Sequence, residues 1–283
     1  MERVYCRLFL TVAPSGKFIK GEKMKSLHSN AYLTIVATLF FGAAHAGSEC
    51  EEYYAQGKYE TAAAHCLREA AQGDAAAQHT LALMHRRGQG VLQSDPTALA
   101  LYRKAAESGA PKSQAVVGWM YLHGKGTDRD YREARRWLTL AAEQEFAQAQ
   151  AYMAYIYAMG LGVQPDAVMA ATWLTKAAAQ GNAWSQFQLG NFYRLGKGVP
   201  QDLIAAAALY SAAANQEHPD AMNNLGVMYR RGLGVEANEE RAIALFLQAA
   251  ELGSAEAEIN LRDGSSDMYL RVAQKQDQHA PLS

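Results

Sequence analysis

Two glycines separated by one residue recur along this chain every 36 residues. The five pairs are Gly88/Gly90, Gly124/Gly126, Gly160/Gly162, Gly196/Gly198 and Gly232/Gly234. No insertion or deletion shifts one copy against another. A fixed period of about 20 to 50 residues is typical of repeat arrays, in which each unit packs mainly against its neighbours. The sequence therefore predicts a solenoid, and the positions that differ between repeats become the candidates for function.

The first half of each repeat has the pattern of a helix with one buried face. A small residue occupies one position in all five repeats: Ala82, Gly118, Ala154, Gly190 and Gly226. Three residues later comes an aromatic or imidazole side chain: His85, Tyr121, Tyr157, Tyr193 and Tyr229. This spacing places both columns on one helical face, where the small residue allows another helix to approach closely. The first glycine of each pair then ends the helix, because glycine adopts left-handed backbone conformations without a Cβ penalty. A phosphate-binding loop is the alternative, but no Lys-Ser/Thr follows the glycines.

The second half of each repeat begins with a residue that suits the N-terminus of a helix. These residues are Ser94, Asp130, Asp166, Asp202 and Asn238. Their side-chain oxygens can accept hydrogen bonds from the first free backbone amides. Alanines and large apolar residues follow at helical spacing, which indicates a buried stripe. The aspartates are therefore predicted to cap helices and not to form a row of catalytic carboxylates.

Another glycine column closes the repeats, and it is interrupted twice. Its members are Gly73, Gly109, Gly181 and Gly253. Glu145 and Glu217 stand where the period requires a glycine. A non-glycine residue in a left-handed conformation costs up to about 1 kcal/mol, so we expect these two joints to be wound differently.

Met24–Ala46 has the organisation of a secretory signal peptide. Lysines precede an apolar stretch at residues 31–41, and Ala44-His45-Ala46 matches a cleavage site. The apolar stretch has 11 residues, whereas a membrane span needs about 20. We predict that residues 1–46 are an N-terminal extension plus signal peptide, with translation starting at Met24 and cleavage after Ala46. The competing interpretation is a first buried helix of the fold.

An exported protein is in an oxidising compartment, where disulfides persist, and the cysteine content of this chain is consistent with that location. Cys50 and Cys66 are the two cysteines of the predicted mature chain. Gln56-Gly57-Lys58 predicts a tight turn between two short helices, which would place the cysteines opposite each other. A disulfide is therefore expected, and closing a 17-residue loop would stabilise the fold by about 3 kcal/mol. Two unpaired buried thiols or a redox pair are the alternatives, although the chain contains no Cys-x-x-Cys. The predicted location is the periplasm or the medium, with no stable membrane insertion.

The repeat pattern resembles the Sel1-like repeat, the longer relative of the tetratricopeptide repeat. The segments Tyr121-Leu-His-Gly124-Lys-Gly126 and Leu225-Gly-Val-Met-Tyr229-Arg-Arg-Gly232-Leu-Gly234-Val235 carry the resemblance most clearly. It covers residues 75–254 and implies an all-α fold, an α-solenoid of antiparallel helix pairs in a right-handed superhelix. Residues 47–74 would form an N-terminal capping helix pair. Residues 255–283 would form a C-terminal capping helix and a disordered tail.

Proteins with this repeat mostly hold other proteins, and exported bacterial members serve as adaptors. The resemblance therefore implies an exported scaffold that binds a protein or peptide. Some cysteine-rich secreted members have been proposed to bind β-lactams. This chain has one cysteine pair in place of one per repeat and contains no Ser-x-x-Lys, which argues against that enzyme chemistry. The alternative function is an envelope ligand-binding protein for a peptidoglycan fragment or a β-lactam-like molecule.

Other functional classes receive little support from the sequence. A net charge of −1 and a pI near 6.7 provide no electrostatic basis for binding nucleic acid. His79 and His85 are six residues apart, unlike the i, i+4 pair of a helical metal site. No catalytic triad or Cys/His pair can be argued from spacing. We expect no enzymatic activity, no metal and no cofactor.

The concave face of related arrays is lined by the first helices, so residues there that vary between repeats are candidate contacts. The predicted groove residues are Trp119, Tyr155, Trp184, Phe187, Asn191, Asn223, Arg86, Arg194 and Arg230. They would form a groove with aromatic residues in the middle repeats and arginines towards both ends. Tryptophan, tyrosine and arginine are the residues most enriched in binding hot spots. In the alternative interpretation, Trp119 and Tyr155 only pack between neighbouring first helices.

Overall fold

A computed structural model describes residues 48–262. This range contains thirteen α-helices and no β-strand. The helices are α1 (Glu49–Ala55), α2 (Tyr59–Ala71), α3 (Ala75–Arg87), α4 (Asp95–Glu107), α5 (Pro111–His123), α6 (Tyr131–Glu143), α7 (Ala147–Met159), α8 (Ala167–Ala179), α9 (Ala183–Leu195), α10 (Leu203–Ala214), α11 (Pro219–Arg231), α12 (Glu239–Glu251) and α13 (Ala255–Arg262). The predicted signal peptide, its cleavage site and the C-terminal tail lie outside the described residues.

Each helix packs against the next one along the chain, so the helices form a continuous series of hairpins. Three pairs of neighbouring first helices also contact each other: α1 with α3, α5 with α7, and α11 with α13. Contacts of this extent do not join neighbouring second helices anywhere in residues 48–262. The first helices therefore line the inner face of the array, and the predicted all-α solenoid of helix pairs is confirmed.

Both predicted capping columns are confirmed. Asp130 Oδ1 accepts hydrogen bonds from the amides of Arg132 and Glu133, at 2.9 and 3.0 Å. The other four N-cap residues accept equivalent bonds from the first turn of their helices. At the far end of the first helices, the first glycine of each pair is a left-handed C-cap with φ between 66° and 68°. Sequence-local chemistry thus sets where these helices begin and end.

The second glycine of each pair has a tertiary role that the repeat pattern does not reveal. A Cβ on Gly198 would lie 2.2 Å from the carbonyl oxygen of Ala167, at the start of the preceding repeat's second helix. Gly126 stands in the same relation to the carbonyl oxygen of Asp95, at 2.4 Å. In four of the five repeats the turn after the first helix therefore rests directly on backbone of the preceding helix pair, and at Gly162 it rests on Cβ of Tyr131, so only glycine leaves room for this contact.

Glu145 and Glu217 adopt positive φ values of 60°, within the left-handed region. The glycines at the same place in other repeats have φ between 83° and 91°. The two joints therefore differ from the others in the value of φ. They keep the left-handed conformation, so the chain reverses direction there as it does in the other repeats. Each glutamate holds this conformation at a cost of up to about 1 kcal/mol.

Alanine, glycine and a few large side chains fill the core of each helix pair. The small column of the first helices allows the predicted close approach of another helix, and it faces large residues of the second helices. A Cβ on Gly190 would lie 2.7 Å from Tyr210, and one on Gly226 would lie 2.7 Å from Phe246. Tyr210 and Phe246 are both fully buried. The missing Cβ therefore creates the space that an aromatic ring occupies.

A ladder of buried glutamines joins successive repeats. Gln114 donates through Nε2 to the carbonyl oxygen of Ala106, at the end of the preceding repeat's second helix, at 3.2 Å. Its Oε1 accepts from Nε2 of Gln144 at 2.8 Å. The pairs Gln150/Gln180 and Gln186/Gln216 repeat this arrangement. Because a buried amide without partners is costly, these bonds help to specify how the repeats stack.

The N-terminal helix pair is held together by the predicted disulfide. Cys50 of α1 and Cys66 of α2 are bonded, and both residues are fully buried. The turn between the helices contains Gly57 with φ 73°, which is the reversal expected from the sequence. Within the described part of the chain, no helix has the length and apolarity needed to cross a bilayer.

Candidate functional site

A cleft of about 390 Å³ opens on the inner face of the middle repeats. It is lined by His123, Gln148, Ala151, Tyr152, Tyr155 and Trp184. Three consecutive first helices, α5, α7 and α9, contribute these residues. The lining is mainly apolar, with hydroxyl, imidazole, indole and amide groups that can form hydrogen bonds. Its volume and mainly apolar lining are within the range of ligand-binding clefts.

Two of the predicted groove residues, Tyr155 and Trp184, line this cleft, and a third borders it. Tyr155 is 37% exposed, so part of it is accessible to a ligand in the cleft. Trp119 is half-buried, and its ring lies 4.8 Å from the ring of His123, which is part of the lining. Nδ1 of His123 lies 2.9 Å from the carbonyl oxygen of Trp119. The aromatic centre of the predicted groove is therefore contiguous over three repeats.

Three other predicted residues of the fourth repeat, Phe187, Asn191 and Arg194, contact side chains outside their own helix. The ring of Phe187 stacks on His218 with centroids 4.7 Å apart. The hydroxyl of Tyr210 donates to Oδ1 of Asn191 at 2.7 Å, and Nε of Arg194 donates to the same hydroxyl at 3.2 Å. These contacts hold Asn191 and Arg194 in fixed positions on the inner face.

Asn223 and Arg230 form hydrogen bonds with α13 at the C-terminal end of the array. Asn223 is buried, and its Oδ1 accepts from Nδ2 of Asn260 at 2.7 Å. Arg230 forms an ion pair with Glu239 at 3.0 Å and donates to the carbonyl oxygen of Asn260 at 2.9 Å. Its guanidinium also lies 4.6 Å from the ring of Phe246. The polar groups of both residues are therefore used to dock α13 on the fifth repeat.

Positive charge lies beside the cleft at its N-terminal side. The guanidinium of Arg86 lies 5.6 Å from the centre of the Trp119 ring, a cation–π arrangement. Burial lowers the pKa of His79 to about 4, and the charges of Lys112 and Arg86 act in the same direction. Burial also raises the pKa of Tyr152, which a hydrogen bond from Gln148 and the charge of Arg86 partly oppose. Arg86 therefore acts electrostatically on first helices of three repeats.

Four residues of the cleft were not among the predicted groove residues: His123, Gln148, Ala151 and Tyr152. Tyr152 follows Gln148 by one helical turn, and its column also varies between repeats, with Thr80, Val116, Gln188 and Asn224. This variation was the available signal for Tyr152. His123 lies at the end of α5, directly before the C-cap glycine, so its repeat position suggests capping and gives no sign of the cleft.

Glu49, His65 and Glu69 form a group of side chains that could ligate a metal ion. Arg68 donates to Glu49 at 2.7 Å, and Ser48 donates to Glu69. The pKa of Glu49 is lowered, chiefly by its hydrogen bond with Arg68 and then by His65. These interactions link α1 to α2 beside the disulfide, so the group stabilises the N-terminal helix pair.

Tandem helix pairs with a groove on their inner face define an α-solenoid of the kind that holds extended partners. The chain belongs to the Sel1 repeat family. The family model, described as Sel1 repeat, matches residues 75–109, 111–146, 147–182, 185–218 and 219–254. Proteins with these repeats are generally scaffolds for protein–protein interactions and are typically not enzymes.

Two solved structures illustrate the likeness. A Sel1 repeat protein from Oxalobacter formigenes is 30% identical with a TM-score of 0.72, and the match covers 81% of this chain and 98% of that chain. A protective antigen of uropathogenic Escherichia coli with an SLR fold is 33% identical with a TM-score of 0.74. That match covers 87% of this chain and 56% of the antigen. A search of curated proteins found no match.

Proposed function

We propose that this protein is an exported scaffold that holds an extended or helical segment of a protein partner along the face formed by its first helices. The observation that carries the proposal is the cleft between α5, α7 and α9. Its large side chains, Tyr152, Tyr155 and Trp184, stand at positions where other repeats have different residues. Tyr152 and Trp184 pack partly against the core, but the other repeats fold with different residues at these positions, which supports a role in binding.

The N-terminal sequence and the disulfide support export. Disulfides persist mainly in oxidising compartments, and Cys50–Cys66 is formed in the structure. We infer that the signal peptide at residues 24–46 is removed and that the protein acts in the periplasm or outside the cell. Mass spectrometry of the purified protein tests this directly. A first residue other than Gly47 would contradict the proposed cleavage site.

The binding proposal is tested by crosslinking pull-down from an envelope extract with the Trp119→Ala/Tyr155→Ala variant. The expected result is loss of the partners that wild type captures, because the variant removes two rings at and beside the cleft. A matched control is Leu140→Ala/Ile204→Ala, which removes two exposed apolar side chains from second helices. Circular dichroism establishes that both variants are folded. If the groove variant is folded and captures the same partners as wild type, the groove is not the binding site.

A small-molecule function would use the same cleft and predicts a different outcome. Purified muropeptides and β-lactams are titrated against the protein while tryptophan fluorescence is recorded. Saturable binding of muropeptides, with no protein captured by crosslinking, would replace the scaffold proposal with an envelope ligand-binding function.

A further inference from the structure

The inner face of the first four repeats has an unusual charge distribution. The first helices α3, α5, α7 and α9 contain no aspartate or glutamate. They contain the cations Arg86, Arg87, Lys112 and Arg194. The whole chain is balanced, with 28 acidic and 27 basic residues, and the second helices α4 and α6 contain both signs. The second helices α8 and α10 also lack acidic residues, so the distinguishing feature of the inner face is a series of cations on three of four neighbouring first helices, none of which carries a carboxylate.

In the part of the chain that the structure describes, the cations of α3, α5 and α9 form no ion pair. Among residues 48–262, no carboxylate lies within ion-pair distance of Arg86, Lys112 or Arg194. Arg230, further along the same face, is by contrast paired with Glu239 at 3.0 Å. Arg86 is half-buried beside Trp119, and burial strengthens the interaction of a charge with an incoming anion.

The cations flank the aromatic cleft on both sides. Arg86 and Lys112 belong to the first and second repeats, the cleft is formed by the second to fourth, and Arg194 lies at the end of α9 in the fourth. Four neighbouring helices spaced 8–10 Å apart span about 30 Å. An extended chain advances about 3.3 Å per residue, so about ten residues would cover this distance.

We propose that the partner segment is acidic: an extended stretch of about ten residues that places carboxylates on Arg86 and Lys112 at one end and on Arg194 at the other, with an apolar side chain in the cleft between. This inference rests on the proposed scaffold function and specifies the chemistry of its partner. Arginine binds carboxylates through paired hydrogen bonds, which fixes the register of the segment. The lack of acidic side chains on the four helices removes the repulsion that such a segment would otherwise meet.

The first experiment is selection of a random peptide library, with peptides long enough to span four repeats, on the full-length purified protein. The wild-type selection is run beside one on Trp119→Ala/Tyr155→Ala, and peptides enriched only by wild type are sequenced. We expect a clear excess of Asp and Glu over Lys and Arg around a central apolar residue. Groove-dependent peptides without this excess would overturn the acidic-segment proposal and leave the scaffold function standing. Peptides that bind both proteins equally, or no enrichment, would count against both proposals.

The second experiment measures the affinity of a selected peptide for Arg86→Gln/Lys112→Gln by fluorescence anisotropy. Arg103→Gln/Lys104→Gln is the matched control, since it removes the same charges from the exposed surface of α4. We expect a roughly tenfold or greater loss for the groove variant, a weaker dependence on salt, and little change for the control. Equal losses in both variants, or none in the groove variant, would overturn the proposal. Displacement of the peptide by muropeptides, whose stem peptides also carry carboxylates, would instead assign the site to peptidoglycan.

Discussion

Gln78 and Ser108 are the first-repeat counterparts of the hydrogen-bonded pair Gln114 and Gln144, but they do not form the same bond. Nε2 of Gln78 donates to the carbonyl oxygen of Ala70 at 3.2 Å, as the ladder requires. Its buried Oε1 has no hydrogen-bond partner among the described residues, because Ser108 is too short to reach it. The fifth repeat avoids this defect by replacing both glutamines, with Met222 and Leu252 at the two positions.

Ser108→Gln is expected to stabilise the protein. The new side chain would occupy the position that Gln144 has in the next repeat and donate to Oε1 of Gln78. Satisfying a buried acceptor contributes about 1 kcal/mol. Urea unfolding followed by circular dichroism measures the gain. Ser108→Ala is the control, because it changes the same position without supplying a donor. If the Gln variant is no more stable than the Ala variant, the glutamine–glutamine hydrogen bonds do not contribute to stability as expected.

Gln150→Met is expected to destabilise the protein by about 1–3 kcal/mol, since it leaves Gln180 and the carbonyl oxygen of Ala142 without their shared partner. The double variant Gln150→Met/Gln180→Leu copies the pair of the fifth repeat and should recover part of the loss. Chemical denaturation of both single variants and the double variant forms a thermodynamic cycle. Additive effects would show that the two glutamines are independent.

Gly198→Ala is expected to cost about 3 kcal/mol or more, because the new Cβ would overlap the carbonyl oxygen of Ala167 and φ is +70°. Gly181→Ala provides a matched control, since Gly181 has φ +83° and open space around the added atom. That variant should cost only about 1 kcal/mol, the strain of a left-handed residue. Equal losses, measured by thermal unfolding, would mean that the second glycine serves backbone conformation alone.

Removing the disulfide is expected to loosen the N-terminal helix pair first. The bridge joins residues 16 positions apart, and closing such a loop is worth about 3 kcal/mol in the chain-entropy model. Cys50→Ala/Cys66→Ala should therefore show faster amide hydrogen exchange in α1 and α2 than wild type. Exchange in the last repeats should change little, since each repeat contacts mainly its neighbours. A uniform increase along the chain would instead indicate a single cooperative unit.

Stability is expected to fall as the pH is lowered from about 6.5 towards 4, with His79 as a main contributor. In the folded protein the pKa of His79 is about 4, whereas the unfolded chain binds a proton near the ordinary value of 6.5. The unfolded state therefore binds more protons in this range, so acid favours unfolding by up to about 3 kcal/mol. His79→Gln can retain the hydrogen bond with Ser113 but does not titrate. If its stability falls as steeply with acid as that of wild type, His79 is not responsible.

Much of the fold followed from local residue chemistry. The capping residues Asp130, Asp166 and Asp202, the first glycine of each pair and the cysteine pair could all be assigned from sequence, because each depends on conformation or covalent chemistry near its own position. The candidate groove could be predicted only in part from the sequence. Variation between repeats identified Tyr155 and Trp184, but it could not show that Asn223 and Arg230 are engaged with α13, since those contacts come from residues 30 to 37 positions away.

The sequence by itself determined the period, the helix boundaries and the all-α solenoid, because a 36-residue repeat without gaps leaves few ways to bury its apolar faces. Only the tertiary structure decided the role of the second glycine, the pairing of the glutamines and the composition of the cleft. Each of these depends on distances between neighbouring repeats, which arise from how whole helices stack. His123, Tyr152 and Trp184 lie together because α5, α7 and α9 are neighbours in the array. No local sequence pattern predicts this proximity.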